Sequence, residues 1–316
     1  MDKQHLEVEQ SHQLRGIAIL MILLVHSINE YPAYEAQWSK WLLIPEWGEL
    51  ACSIFFLLSG YGLTISMQKA QGREHKFCYW MSKIRKLIVP FLFAYLLTVV
   101  ALSLYDGKYG AAYQFDVSTL FTLCMSDGNE MWFLKVILAD YLLLCFWDVT
   151  ETPLAVRVAT CFALHLIAVV LLRTMGYGRY WYVSNLCFPV GMLLALSRDT
   201  MSPKQTLAWA SLCVTIGILC YKMIHWRMAG EIIINVGFAL FTMVLAARAR
   251  AKCPVLRFLG KNSLYLYLFE IPVMWVIPNE GIHWFIYYLA CLTCTALCAI
   301  LYVELCECWN RRNTFT

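Results

Sequence analysis

Ten stretches of this chain each read as a run of about twenty mostly apolar residues, and that pattern leaves few folds open. A segment in lipid has no water to bond its backbone groups, so it satisfies them internally as a helix. The runs fall at about 14–30, 48–67, 85–104, 131–148, 155–173, 180–197, 205–224, 231–249, 262–278 and 283–305. Composition agrees: of 316 residues, 60% are hydrophobic and only 15% charged, where an ordinary soluble domain is about half apolar and about a quarter charged. The expectation is an all-α integral membrane protein. It forms a single polytopic bundle of about ten transmembrane helices spanning residues 1–316, because several connections are too short to separate domains.

Basic residues give the orientation. With ten spans, 18 of the 25 Lys and Arg residues fall on the side shared by both termini, leaving seven on the other. The positive-inside rule then places the N- and C-termini in the cytoplasm of a multi-pass protein of the cell membrane. No cleavable signal peptide is expected, since the first apolar run lacks a small-x-small close and is followed by many others. The 14 cysteines are scattered through apolar segments and read as small membrane-helix residues. Cys291 and Cys294 form a CxxC without a neighbouring His or second CxxC, so neither a metal nor a disulfide framework is expected.

Polar residues inside these runs carry the chemistry. Arg15 and His26 stand eleven residues apart in LRGIAILMILLVHS, with only apolar residues and Gly16 between them. On a helix that is three turns plus about 20°, and about 16 Å of rise. Both lie on one face, forming a polar stripe from the cytoplasmic surface inwards. Ionisable groups at such depth face a protein interior or a wet cavity, and mark a path for substrate or proton. In the second run, Ser59, Gly60 and Gly62 form either a packing notch or a thin cavity wall. Lys83, Arg85 and Lys86 precede Pro90 in the most basic loop. That cluster is either a topology anchor or a clamp for the phosphates of a cytoplasmic donor. Pro90 should kink the third helix.

The longest outer connection, 105–130, ends in Asp127-Gly128-Asn129-Glu130-Met131-Trp132. Asn129, Glu130 and Trp132 suit recognition of a hydroxyl-rich acceptor, while an interfacial aromatic belt would account for Trp132 alone. Asp140 lies further down the same helix, facing either an interior partner or the cavity. His165 and His225 read as packed or interfacial. Asn185 and Pro189 mark a local break in the sixth run. Glu270 falls about 12 Å along the ninth run, after a start at Asn262 and Ser263. A carboxylate there needs a partner, and Arg15, His26 or a basic residue of the third helix are the choices.

Four of these segments together resemble the membrane-bound acyltransferase 3 family: Arg15-x10-His26, FFLLSGYGL from Phe55 to Leu63, the basic cluster ending at Pro90, and LGKNSLYLYLFE from Leu259 to Glu270. MWFL from Met131 to Leu134 is a weaker match. The resemblance implies an enzyme of about ten helices. Such an enzyme takes an acyl group, often acetyl, from cytoplasmic acyl-CoA and passes it to a hydroxyl of an envelope carbohydrate. Membrane lipid, acyl-CoA and the carbohydrate are then the partners, and nucleic acid is not. Some members carry a fused extracytoplasmic SGNH-type domain; none is expected here, so the membrane domain finishes the transfer alone or with a partner. Where the family pattern has a histidine after YLF, this chain has Glu270.

An alcohol is a poor nucleophile, so O-acylation calls for a base near pKa 7, and His26 is the natural choice. Glu130 or Asp140 is expected to fix its tautomer. Arg15 is expected to bind the CoA end or to polarise the thioester carbonyl. Lys83, Arg85 and Lys86 are expected to hold CoA phosphates. Substrate contacts are expected from Asn129, Glu130, Trp132, Asp140, Ser59 and Glu270. The rival reading is a proton-coupled transporter or flippase using the same buried groups as a relay, but no internal repeat of the transporter kind stands out.

Overall fold

In a computed structural model the chain is described over residues 6–31, 44–69, 76–104, 132–222 and 226–313. Every regular element there is helical. In chain order they are α1 (Val8–Glu30), α2 (Ile44–Lys69), α3 (Lys76–Leu104), α4 (Trp132–Val149), α5 (Leu154–Thr174), a 3-10 turn at Arg179–Trp181, α6 (Cys187–Ser197), α7 (Pro203–Lys222), α8 (Arg227–Arg248), α9 (Pro254–Lys261), α10 (Ser263–Val276) and α11 (Trp284–Asn313).

A helix covers each of the ten apolar stretches, with shifted ends. α3 begins at Lys76, so the basic cluster lies within the helix instead of in the loop before it. The helix runs on through Pro90. The sixth stretch is broken: the 3-10 turn and a run of turns occupy its first half, and α6 begins only at Cys187. α9 is an additional short helix that starts with Pro254 at its first turn, where the missing N–H has no partner to lose. Among the described residues, five helices are long and apolar enough to cross a membrane: Val8–Glu30, Glu46–Lys69, Leu154–Thr174, Arg227–Arg248 and Trp284–Cys308. α6 and α10, at 11 and 14 residues, are shorter apolar helices. The outer faces fit lipid better than water. α5 exposes Leu164, Leu166, Ile167, Val170 and Leu171, and α11 exposes Leu289, Leu297, Leu301 and Leu305. In water, continuous apolar faces of this kind would drive association.

Since lipid tails are as apolar as leucine, helix packing in a membrane depends on close backbone approach. Two crossings show it. Gly60 of α2 and Gly191 of α6 face each other's helix so closely that a Cβ on Gly60 would overlap the Phe188 carbonyl, and one on Gly191 the Leu57 carbonyl. Gly16 of α1 and Gly260 of α9 do the same against Leu256 and His12. Gly60 is therefore a packing notch, while Gly62 has open space around it.

α10 is the innermost helix. Every residue from Leu266 to Met274 is buried. Pro278 follows it and has no N–H to give the Met274 carbonyl, four residues back. The Tyr287 hydroxyl of α11 donates to that carbonyl instead, at 3.0 Å. The connection between α10 and α11 is tied to the end of α1: Asn279 donates its side-chain amide to the Glu30 carbonyl at 2.6 Å, and the Tyr31 hydroxyl donates to the Ile282 carbonyl. These bonds hold the C-terminal ends of α1 and α10 together.

Candidate functional site

His26 lies one turn from the C-terminal end of α1, and Glu270 lies midway along α10. The tie between those two helix ends sets them side by side. Nδ1 of His26 is 2.9 Å from Oε1 of Glu270. The histidine side chain keeps 23% of its surface, and the glutamate side chain keeps none. The second glutamate oxygen, Oε2, is buried without a hydrogen-bond partner among the described residues. When Nδ1 donates its proton to the carboxylate, the basic lone pair sits on Nε2. A buried carboxylate thus orients a partly accessible imidazole, as in other base–orienter pairs. Of the partners considered for Glu270, the structure selects His26. Of those considered for His26, Asp140 is bonded elsewhere, and Glu130 lies outside the described residues, as does Asn129.

Arg15 occupies the other end of the stripe. α1 is continuous between the two, so they are separated by about 16 Å along the axis. Nε of Arg15 is buried without a hydrogen-bond partner, and among the described residues no carboxylate forms an ion pair with the guanidinium. Its charge acts on Tyr141 of α4, which also neighbours Tyr79 of α3. Tyr79 hydrogen-bonds Ser66 of α2, and Nζ of Lys83 lies 4.9 Å from the centre of the Tyr79 ring. Lys83 is half-buried and folds back over Tyr79, one turn earlier on the same helix. Arg85 and Lys86 are exposed, and Arg85, about 200° round the helix from Lys83, lies on the other side of α3.

The remaining expected residues are dispersed. Trp132 is buried in an aromatic cluster with Phe56, Phe133, Tyr180 and Trp181, so it is a core residue and not an exposed acceptor platform. Ser59 is half-buried beside the Gly60 notch. Asp140 does line a cavity, of about 460 Å³, but with His165 and not with His26. Nε2 of His165 is 3.2 Å from Oδ1 of Asp140.

Two ion-pair networks join residues that the sequence does not show to be partners. Arg179, at the 3-10 turn, forms a fork on Glu49 of α2 at 2.7 and 3.1 Å, and its other nitrogen reaches Glu231 of α8 at 3.1 Å. Burial opposes the Arg179 charge, but the Glu49 hydrogen bonds and both carboxylate charges outweigh it and raise its pKa. Cys52 of α2 feels both Glu49 and Glu270, so this network adjoins the His26 pair. Arg157 donates to Asp148 at 2.9 Å and to the Thr152 carbonyl at 2.6 Å, and Trp80 donates to the same aspartate at 2.9 Å. Helices α3, α4 and α5 are pinned there.

A family model described as an acyltransferase domain matches residues 9–304, nearly the whole chain. No curated protein and no solved structure matches the chain at a comparable standard.

Proposed function

The chain belongs to the acyltransferase 3 family, and on that premise we propose that it moves an acyl group, acetyl above all, from cytoplasmic acyl-CoA to a hydroxyl of a cell-envelope carbohydrate. The observation that carries this reading is the 2.9 Å pairing of His26 with Glu270. Nε2 of His26 takes the proton of the acceptor hydroxyl as its oxygen attacks the thioester carbonyl. The carbon–sulfur bond then breaks, and the departing CoA sulfur takes a proton back from the imidazolium. Glu270 does not enter this exchange. It stabilises the imidazolium that forms between the two steps and keeps the ring turned.

The length of the stripe assigns Arg15 its part. At about 16 Å from His26 it is too far to polarise a carbonyl on which His26 acts. A buried guanidinium without a carboxylate is instead suited to an anion, and the phosphates of CoA supply one. In this reading Lys83 joins it, with Arg85 and Lys86 attracting the donor from the cytoplasmic surface. The flexible arm of CoA then spans the stripe to the thioester. This arrangement goes with ten crossings, cytoplasmic termini and residence in the cell membrane, so that donor and acceptor approach His26 from opposite sides.

The test is acetyl-CoA turnover by protein purified in nanodiscs, wild type beside His26→Ala, with a panel of envelope glycans. Release of free CoA and acetylated glycan by wild type, lost in a variant that still purifies as a monodisperse particle, supports the reading. Equal turnover in both removes His26 from the chemistry. Proton-coupled transport without CoA release would favour a transporter.

A further inference from the structure

The cavity of about 460 Å³ between α4, α5 and the turns that precede α6 has no part in the proposed transfer, yet its lining is chemically unusual. Lys135 and Tyr177, both half-buried, and the buried Trp181 line it together with aliphatic residues. Buried at its base are Asp140, His165 and Asn185, which are 4%, 6% and 2% exposed. Beside them is the buried thiol of Cys161, one helical turn before His165.

Among the described residues, two acceptors there have no donor. Oδ2 of Asp140 and Oδ1 of Asn185 are both buried without a hydrogen-bond partner, while the Asn185 amide nitrogen is already given to the Trp181 carbonyl at 2.7 Å. Leaving one such group unmet is unfavourable by about 1–3 kcal/mol. A cavity floor that collects orphaned acceptors calls for a cation or a donor-rich ligand.

The imidazole decides between these. His165 Nδ1 is 2.9 Å from the Cys161 carbonyl, which can only accept, so Nδ1 carries a proton. Nε2 points at Asp140 Oδ1, 3.2 Å away. That is longer than the roughly 2.7–2.9 Å of a charge-assisted hydrogen bond. It matches two ligands of one tetrahedral ion, which at about 2.0 Å from the metal stand about 3.3 Å apart. A carbonyl that fixes the proton on one ring nitrogen and turns the other outward is also the usual support of a metal-bound histidine. The ligating atoms of Asp140, Cys161 and His165 all lie within 4.8 Å of one another. Cys161 Sγ stands 3.6 Å from His165 Nδ1, so it joins the other two ligands only by turning towards the Nε2 side of the ring.

We propose that Asp140, Cys161 and His165 bind a divalent metal ion of the zinc type, with Asn185 Oδ1 or a water as the fourth ligand. The donor set of one oxygen, one nitrogen and one sulfur excludes Mg²⁺ and Ca²⁺, which take oxygen, and suits Zn²⁺ or Co²⁺. The ion ties α4 to α5 beneath an open cavity, which supplies its entry path. This assignment does not depend on the acyl-transfer reading, since none of its ligands belongs to the His26 pair or the Arg15 cluster.

The test uses full-length protein carrying no polyhistidine tag, in nanodiscs, stripped with a chelator and titrated with Zn²⁺ or Co²⁺. About one ion per chain is expected by elemental analysis, with a thiolate-to-cobalt charge-transfer band for Co²⁺. Cys161→Ser should abolish that band and weaken Zn²⁺ binding by about 10–100-fold or more, while Asp140→Asn and His165→Gln reduce the metal to background. The cysteine variant changes one buried atom, so it keeps the test informative if the charged-residue variants fail to fold. Wild-type protein that retains no metal above background, or a cobalt band that survives Cys161→Ser, overturns the proposal. Asp140 and His165 would then be a plain buried ion pair.

Discussion

Glu270 Oε1 and His26 Nδ1 meet at 2.9 Å although 244 positions separate them in the chain. The pair is asymmetric, with the carboxylate wholly buried and the imidazole open on one side. That asymmetry distinguishes the roles. The exposed partner can reach a substrate, and the buried one can only orient and balance charge.

Glu270→Gln keeps the shape of the side chain but removes its charge. The amide can accept from Nδ1, so the ring stays in place while the imidazolium loses its counter-charge. Turnover of acetyl-CoA should fall about 10²–10⁴-fold with little change in KM, measured as free CoA release. A variant that turns over like wild type would separate the pair from the chemistry.

Arg15→Lys retains a positive charge but loses the planar fork. If Arg15 holds CoA phosphates, KM for acetyl-CoA should rise about 10–100-fold, the equivalent of one charged hydrogen bond, with kcat less affected. Lys83→Met should act in the same direction and more weakly. Arg85→Ala should change little beyond salt dependence, because that residue is exposed on the far side of α3. Steady-state kinetics over a range of acetyl-CoA concentrations tests all three.

Gly60→Leu puts a large side chain where a single Cβ already meets the Phe188 carbonyl. α2 and α6 must then separate, at a loss of about 1–3 kcal/mol or more. Gly62→Leu, where a Cβ meets nothing within 4 Å, should be tolerated. Thermal melting of the two variants in one detergent should rank them in that order.

Arg179→Met leaves Glu49 and Glu231 side by side with side-chain exposures of only 12% and 13%. The folded state should lose about 1–3 kcal/mol, since the carboxylates lose a charged partner and now repel each other. Adding Glu49→Gln should recover part of that loss. A double-mutant cycle on melting temperature reads the coupling directly.

Helix positions were legible because apolar run length is a local property: a segment in lipid must bond its own backbone, so 20 apolar residues announce a helix wherever they stand. Arg15 and His26 could be placed on one face for the same reason, since a helix fixes its own periodicity. The break of the sixth stretch was signalled by Asn185 and Pro189, although its full extent was not.

Which helices touch was a different matter. Asp140 looked like a partner for His26, yet α5 brings His165 to it, and the ties from Tyr31 and Asn279 bring Glu270 to His26 instead. A buried charge reveals in sequence that it needs a partner, but not which one, because the partner is chosen by helix packing. That packing is decided by glycine contacts such as Gly60 with Phe188, where a few ångströms of backbone approach select one neighbour over another. The sequence by itself determined a helical membrane protein with a basic–imidazole stripe. Only the tertiary structure decided that the stripe ends in a His26–Glu270 pair, and that Asp140, Cys161 and His165 form a second centre.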